Sequence, residues 1–113
     1  LIQEALAEGG FHNVEMVGHG KAAWDRLAAE EDHFDLVITD IEMPKIDGLT
    51  LTKRIKEHQR LKDIPVVVFS SIMADDIKRK AVSAGADGQI TKPEINSLVE
   101  LVCKLLNEKR SGR

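Results

Sequence analysis

Cysteine, aromatic residues and long apolar runs are all scarce in this chain of 113 residues. The one cysteine, Cys103, excludes a disulfide within the chain, and a reducing cytoplasm is the simplest setting for it. No apolar run approaches the roughly 20 residues of a membrane-spanning helix, and no signal peptide is visible. We therefore expect a protein that does not insert into membranes and whose fold does not depend on a disulfide.

The charge balance gives no sign of a strongly charged partner. Apolar residues make up 42% of the chain and charged residues 31%, which is typical of a globular protein. The net charge of −3 comes from acids and bases mixed along the chain, which argues against direct binding of nucleic acid. The length suits one domain, and because the first residue is Leu1 rather than Met, we expect the chain to be a piece of something longer.

The hydrophobic pattern alternates between helices and strands. Helical spacing or helix-end signals mark residues 1–8, 20–30, 49–58, 75–85 and a last helix that begins near Ile95. Predicted strands cover residues 14–17, 34–39, 66–69 and 88–91, of which 14–17 is a weaker candidate. Strict alternation with short connections implies right-handed βαβ units, so the sequence predicts an α/β protein with a parallel sheet between two layers of helices.

Three chemically distinct side chains follow the ends of the predicted strands. Asp40 ends one strand, Ser70 and Ser71 end the next, and Lys92 ends the last. Ligands of such sheets bind just beyond the carboxyl ends of the strands. An acid, a hydroxyl and an amine should therefore meet at one edge of the sheet.

Three stretches, DLVITDIEMPKIDGL, IPVVVFSS and GADGQITKPE, resemble the receiver domain of bacterial two-component response regulators. The resemblance covers nearly the whole chain, and Asp40, Ser70 and Lys92 stand at fitting intervals. It implies a flavodoxin-like (CheY-like) doubly wound fold with five parallel strands in the order 2-1-3-4-5. The receiver domain would take up residues 1–108, and residues 109–113 would be a tail or linker.

The function that this resemblance implies is a phosphorylation switch. Asp40 would be the nucleophile that takes a phosphoryl group from a phosphohistidine of a sensor histidine kinase. Lys92 would supply a positive charge, and the hydroxyl of Ser70 would move toward a phosphoryl oxygen once that oxygen appears. The domain would be no enzyme in the usual sense, because it would catalyse only its own phosphorylation and dephosphorylation.

The family's cofactor is Mg²⁺, a hard cation that prefers oxygen ligands. In this chain Asp40 and the backbone carbonyl of Glu42 are the expected ligands. The resemblance adds an acidic pair at the end of a first strand, upstream of Leu1 and therefore not in the chain. Because that strand is central in the family's order, its absence should open a gap in the sheet.

The stretches TDIEMPKIDGLTLTKRIKE, IPVVVFSS and KPE are most similar to the receiver domains of CheV-type chemotaxis coupling proteins. There the receiver follows a CheW-like module that connects receptors to the histidine kinase. The resemblance therefore implies a chemotaxis receptor and kinase array as a partner, reached through a fused CheW-like module. Gln89 departs from the family, which often has an aromatic residue three positions before the lysine.

Other interpretations stay open for these residues. A receiver-like domain that binds partners without phosphate would fit the missing acidic pair. A phosphatase with an aspartyl nucleophile is disfavoured, because Glu42 and Pro44 depart from its motif. The remaining residues with reactive or aromatic side chains are interpreted as surface or packing residues: His12, His19, Trp24, His33, His58 and Cys103.

Overall fold

The computed structural model describes residues 2–11, 13–17, 19–29, 34–41, 47–71, 74–92 and 94–111. Along these residues the elements are α1 Ile2–Glu8, α2 Gly20–Ala28, β1 Val37–Thr39, α3 Gly48–Glu57, β2 Val66–Ser70, α4 Asp75–Ala84, β3 Gly88–Thr91 and α5 Ile95–Ser111. The predicted α/β class is confirmed. Because α5 reaches Ser111, the predicted tail at 109–113 begins inside this helix, and a domain boundary at 108 stays a prediction.

The sheet is built around β2. This strand pairs in parallel with β1 on one edge and with β3 on the other, in the order β1-β2-β3. All five of its residues are buried. A strand covered on both faces reads as a continuous apolar run, which is why Val66–Phe69 does not alternate with polar residues.

Helices cover both faces of this sheet. Val66 and Val68 point to the face that α2, α3 and α4 cover, where Leu51 and Ile55 of α3 are fully buried. Val67 and Phe69 point to the opposite face and pack with Leu98 of α5 and with α1. The two-residue period of β2 thus divides the core between the two helical layers. None of the described helices is long and apolar enough to cross a membrane.

The prediction of a strand at residues 14–17 is wrong. These residues have no sheet pairing in the structure. In the order 2-1-3-4-5 this segment would pair only with the family's first strand, and none of the described residues supplies that strand. A side-chain interaction connects this segment to α2 instead. Arg26 of α2 donates to both carboxylate oxygens of Glu15, from Nε at 2.6 Å and from Nη2 at 3.1 Å.

An ion pair fastens the amino end of β2 to its neighbours. Asp87, just before β3, accepts hydrogen bonds through Oδ2 from the backbone N–H of Val66 at 2.8 Å and from Lys56 Nζ at 2.7 Å. Lys56 also donates to the carbonyl of Ile64 at 2.8 Å. One carboxylate and one ammonium therefore join α3, β2 and β3 at the edge of the sheet opposite Asp40.

Replacing Asp87 by Ala should destabilise the fold, because the N–H of the fully buried Val66 loses its acceptor. A buried donor left without a partner costs about 1–3 kcal/mol. Denaturant unfolding at neutral pH measures the loss, with Asp63→Ala, at an exposed aspartate, as the control. Equal unfolding midpoints for the two variants would contradict this account.

Candidate functional site

Three strand ends bring the predicted acid, hydroxyl and amine together. Asp40 follows β1, Ser70 is the last residue of β2, and Lys92 follows β3. The parallel register places Ser70 opposite Thr91, so the three strands end at the same edge. The neighbouring hydroxyl, Ser71, is exposed, whereas Ser70 is buried against the site.

Asp40 and Lys92 form an ion pair across the end of β2. Lys92 Nζ lies 2.5 Å from Asp40 Oδ2, and the two side chains are 38% and 30% exposed. The backbone N–H of Lys92 donates to the carbonyl of Ser70 at 3.0 Å, which fixes where the lysine leaves β3. The ammonium of Lys92 is therefore already paired with the carboxylate of Asp40 in the absence of a bound anion.

The carboxylate of Asp40 has two further hydrogen-bond donors. The backbone N–H of Ile41 donates to Oδ1 at 2.6 Å, and the hydroxyl of Ser70 also bonds to the carboxylate. The hydroxyl of Ser70 thus contacts the carboxylate in the unphosphorylated domain. Its movement toward a phosphoryl group on Asp40 stays a prediction.

These contacts set the charge of Asp40. Burial raises its pKa, but the hydrogen bonds from Lys92, Ser70 and Ile41, together with the charge of Lys92, more than offset this effect. The pKa of Asp40 therefore lies below its ordinary value of 3.8. At neutral pH the group is an anion, which is the form that a nucleophilic carboxylate needs.

A glycine lets α3 begin directly against the residue that carries the carboxylate. The N–H of Gly48 donates to the carbonyl of Ile41 at 2.9 Å. A Cβ on Gly48 would collide with the backbone carbonyl of Asp40, so any larger residue must displace this loop. Asp47 caps the helix by accepting from the N–H of Thr50 at 2.8 Å.

The described residues alone do not make a complete Mg²⁺ site. No three histidine, cysteine or acidic side chains come together in the part of the chain that the structure describes. Asp40 offers one carboxylate, and Lys92 already contacts one of its oxygens. Glu42, whose backbone carbonyl is a predicted ligand, lies outside the described residues. Mg²⁺ prefers octahedral coordination by about six oxygen atoms, so it would need oxygen ligands besides those of Asp40.

A cleft of about 400 Å³ lies beside β1, which pairs only with β2 among the described residues, and reaches the site. Its apolar wall includes Leu36, Ile38 and Phe69, and Asp40 and Lys92 also line it. A cleft at this place agrees with the gap expected beside β1, which stays a prediction. Residues 15–17, which are not a strand in the structure, also line the cleft, together with residues of α2.

The remaining singled-out residues have structural contacts. His19 caps α2, accepting through Nδ1 from the N–H of Ala22 at 3.1 Å. His58 accepts from the N–H of Arg60 and meets the ring of Trp24 edge-on at 5.8 Å. Cys103 is half-buried, and His12 and His33 lie outside the described residues.

One neighbour of the site gave no signal in the sequence. The ring of Phe69 lies 5.8 Å from Lys92 Nζ. In the sequence Phe69 reads only as the last apolar residue of a buried strand. Its position directly before Ser70 is the one feature that could have directed attention to it.

A family model for the response regulator receiver domain matches residues 1–103. The chain belongs to the receiver-domain family. It is 33% identical over 91% of its length to a gliding motility regulatory protein of Myxococcus xanthus, of which it spans 13%. It is 32% identical over 82% of its length to the chemotaxis protein CheY1 of Helicobacter pylori, of which it spans 74%.

Solved receiver domains have the same fold. A phosphorylated cyanobacterial phytochrome response regulator, RcpA, is 31% identical, with a TM-score of 0.79 over 99% of this chain and 85% of that one. The receiver domain of a sensor histidine kinase from Pseudomonas aeruginosa, described with a magnesium ion coordinated in its active-site cleft, is 20% identical, with a TM-score of 0.80 over 94% of this chain and 85% of that one. The predicted CheY-like receiver fold is confirmed.

Replacing Lys92 by Met should raise the pKa of Asp40, because a hydrogen bond and a positive charge are lost while burial remains. When Lys92 is present, the ionised Asp40 contributes stability to the fold, and this contribution is complete above pH 3.8. It is lost as the pH falls through the lower pKa that Asp40 has in the folded state. The variant should therefore have a lower free energy of unfolding at neutral pH. That free energy should also fall less as the solution is acidified.

The carboxyl ¹³C resonance of Asp40, followed by NMR against pH, reports this change directly. Lys53→Met, which removes an exposed lysine from α3, is the matched control and should leave the midpoint in place. An unchanged Asp40 midpoint in Lys92→Met would contradict the role given to the ion pair.

Proposed function

We propose that this domain is a phosphoacceptor module of a bacterial two-component or chemotaxis system, and that Asp40 takes a phosphoryl group from a phosphohistidine of a sensor histidine kinase. The observation that supports this most strongly is the contact of one carboxylate with an ammonium and a buried hydroxyl at the edge of a parallel sheet. A phosphorylated receiver domain with the same fold and 31% identity agrees with the proposal.

Each residue has a separate part in the reaction. An oxygen of Asp40 attacks phosphorus, the bond from phosphorus to the histidine nitrogen breaks, and the departing imidazole takes up a proton. Lys92 follows the negative charge from the carboxylate to the phosphoryl oxygens, since its ammonium is already beside them. The hydroxyl of Ser70 donates to one of these oxygens and so couples the end of β2 to the phosphorylated state.

Receiver domains bind Mg²⁺, and the charge of a phosphoryl group explains why this site would need such a cation. Three phosphoryl oxygens carry more negative charge than one lysine neutralises. We propose that Asp40, the backbone carbonyl of Glu42 and an acidic pair encoded upstream of Leu1 hold the ion. The described residues supply only the first of these ligands, so phosphorylation should depend on the upstream acids.

The wider setting follows the same proposal. The stretches shared with CheV-type receivers suggest a chemotaxis coupling protein, with a CheW-like module that brings the domain to a receptor and kinase array in the cytoplasm. The domain would turn over no small substrate and would change only its own phosphorylation state.

A second function is a receiver-like domain that binds partners without phosphate. Lys92 already pairs with Asp40, and no three acidic, histidine or cysteine side chains come together among the described residues. Such a domain would hold its partner surface in one state whatever the phosphate supply.

Intact-mass spectrometry separates the two functions. The domain, produced with whatever its gene encodes ahead of Leu1, is treated with Mg²⁺ and acetyl phosphate. We expect a gain of about 80 Da, the mass of one phosphoryl group, that hydroxylamine removes. Asp40→Asn should show no gain, and Asp63→Asn, at an exposed aspartate, should behave like the unmodified sequence. No gain in the unmodified domain would overturn the proposal and favour the phosphate-independent function.

A further inference from the structure

The ammonium of Lys92 has a second neighbour besides Asp40. Its Nζ lies over the ring of Phe69, 5.8 Å from the ring centroid. Phe69 is 3% exposed, and its ring packs in the core cluster with α5 while it also lines the cleft beside β1. The lysine therefore passes over an aromatic face on its way from β3 to the carboxylate.

The strand register produces this arrangement. Phe69 lies opposite Ile90 in the parallel pairing of β2 and β3. Lys92 comes two residues after Ile90, so the two-residue period of the strand brings its side chain to the same face. A large aliphatic side chain such as Leu can also pack at this core position, but only an aromatic ring presents a negative π face to a cation.

We infer that Phe69 is a positioning residue of the phosphoacceptor site, which holds the Lys92 ammonium at Asp40 through the face of its ring. The inference rests on the proposed function. The lysine stem is flexible, and 38% of the side chain is exposed, so water competes for the ammonium. When a phosphoryl group forms on Asp40, the ion pair must rearrange. The ring then keeps the ammonium over the end of β2 while its partner changes from carboxylate to phosphoryl oxygen.

NMR tests the contact itself, without any phosphorylation. Ring currents should shift the ε-methylene protons of Lys92 upfield of those of the other lysines, and nuclear Overhauser effects should join them to the ring protons of Phe69. Phe69→Leu should abolish the shift, and Phe69→Tyr, which keeps the aromatic ring, should retain it. Absence of the shift in the unmodified protein would overturn the inference.

Phosphorylation kinetics test the role. These measurements use the domain with its encoded upstream residues, Mg²⁺ and acetyl phosphate. Phe69→Leu should lower the maximal rate of phosphorylation about two- to fivefold, as expected for a lost cation–π contact. The half-saturating concentration of acetyl phosphate should not change. Phe69→Tyr should restore the rate. Val67→Ala removes volume from the same core cluster two residues away and should leave the rate unchanged at temperatures where it is folded.

The outcomes separate this inference from the function on which it rests. An unmodified domain that gains no phosphoryl group overturns the proposed function and the kinetic role of Phe69, while the NMR shift still decides the contact. Suppose instead that the unsubstituted domain is phosphorylated. The positioning role is then overturned, with the proposed function intact, if Phe69→Leu does not lower the phosphorylation rate or if Val67→Ala lowers it equally.

Discussion

The parallel pairing of β2 with a strand on each edge is the constraint on which the rest of this structure depends. Because β1 and β3 run in the same direction as β2, their carboxyl ends meet where β2 ends. Ser70 is at that end, and Asp40 and Lys92 arrive from the two sides. A slip of one residue would exchange the side chains of β2 between the two faces of the core and would move Ser70 from its place opposite Thr91.

This edge is an unusual electrostatic environment for a carboxylate. Asp40 is half-buried, and burial alone would favour its neutral form, but an ammonium, a hydroxyl and a backbone N–H keep it ionised. The cost of burying the charge is offset by these fixed donors rather than by water. The same donors suit a larger anion formed at the same place, as the proposed phosphoryl transfer to Asp40 requires.

Much of this could be predicted from the sequence. The apolar run before Ser70, the polar residues at the strand ends and the alternation of elements sufficed for the fold and for the meeting of Asp40, Ser70 and Lys92. The strand at 14–17 could not be judged from its own residues, because a strand exists only where a neighbour accepts its hydrogen bonds. The contact of Ser70 with Asp40 depends on a side-chain conformation that no pattern of residue types encodes.

Phe69 shows a different limit. Its burial and its place in β2 could be predicted, but its position under an ammonium depends on the register between β2 and β3. Periodicity assigns residues to a face, whereas a contact across strands requires the pairing to be known. Residues that act through a neighbour are therefore harder to find in a sequence than residues that carry the chemistry.

Trapping the modified side chain tests the central claim most directly. The domain, with its encoded upstream residues, is treated with acetyl phosphate and Mg²⁺ and reduced with borohydride, which converts an aspartyl phosphate to homoserine. Peptide sequencing by mass spectrometry then finds the modified position. Our account predicts homoserine at position 40 and at no other aspartate. Homoserine at a different aspartate, or at none, would contradict it.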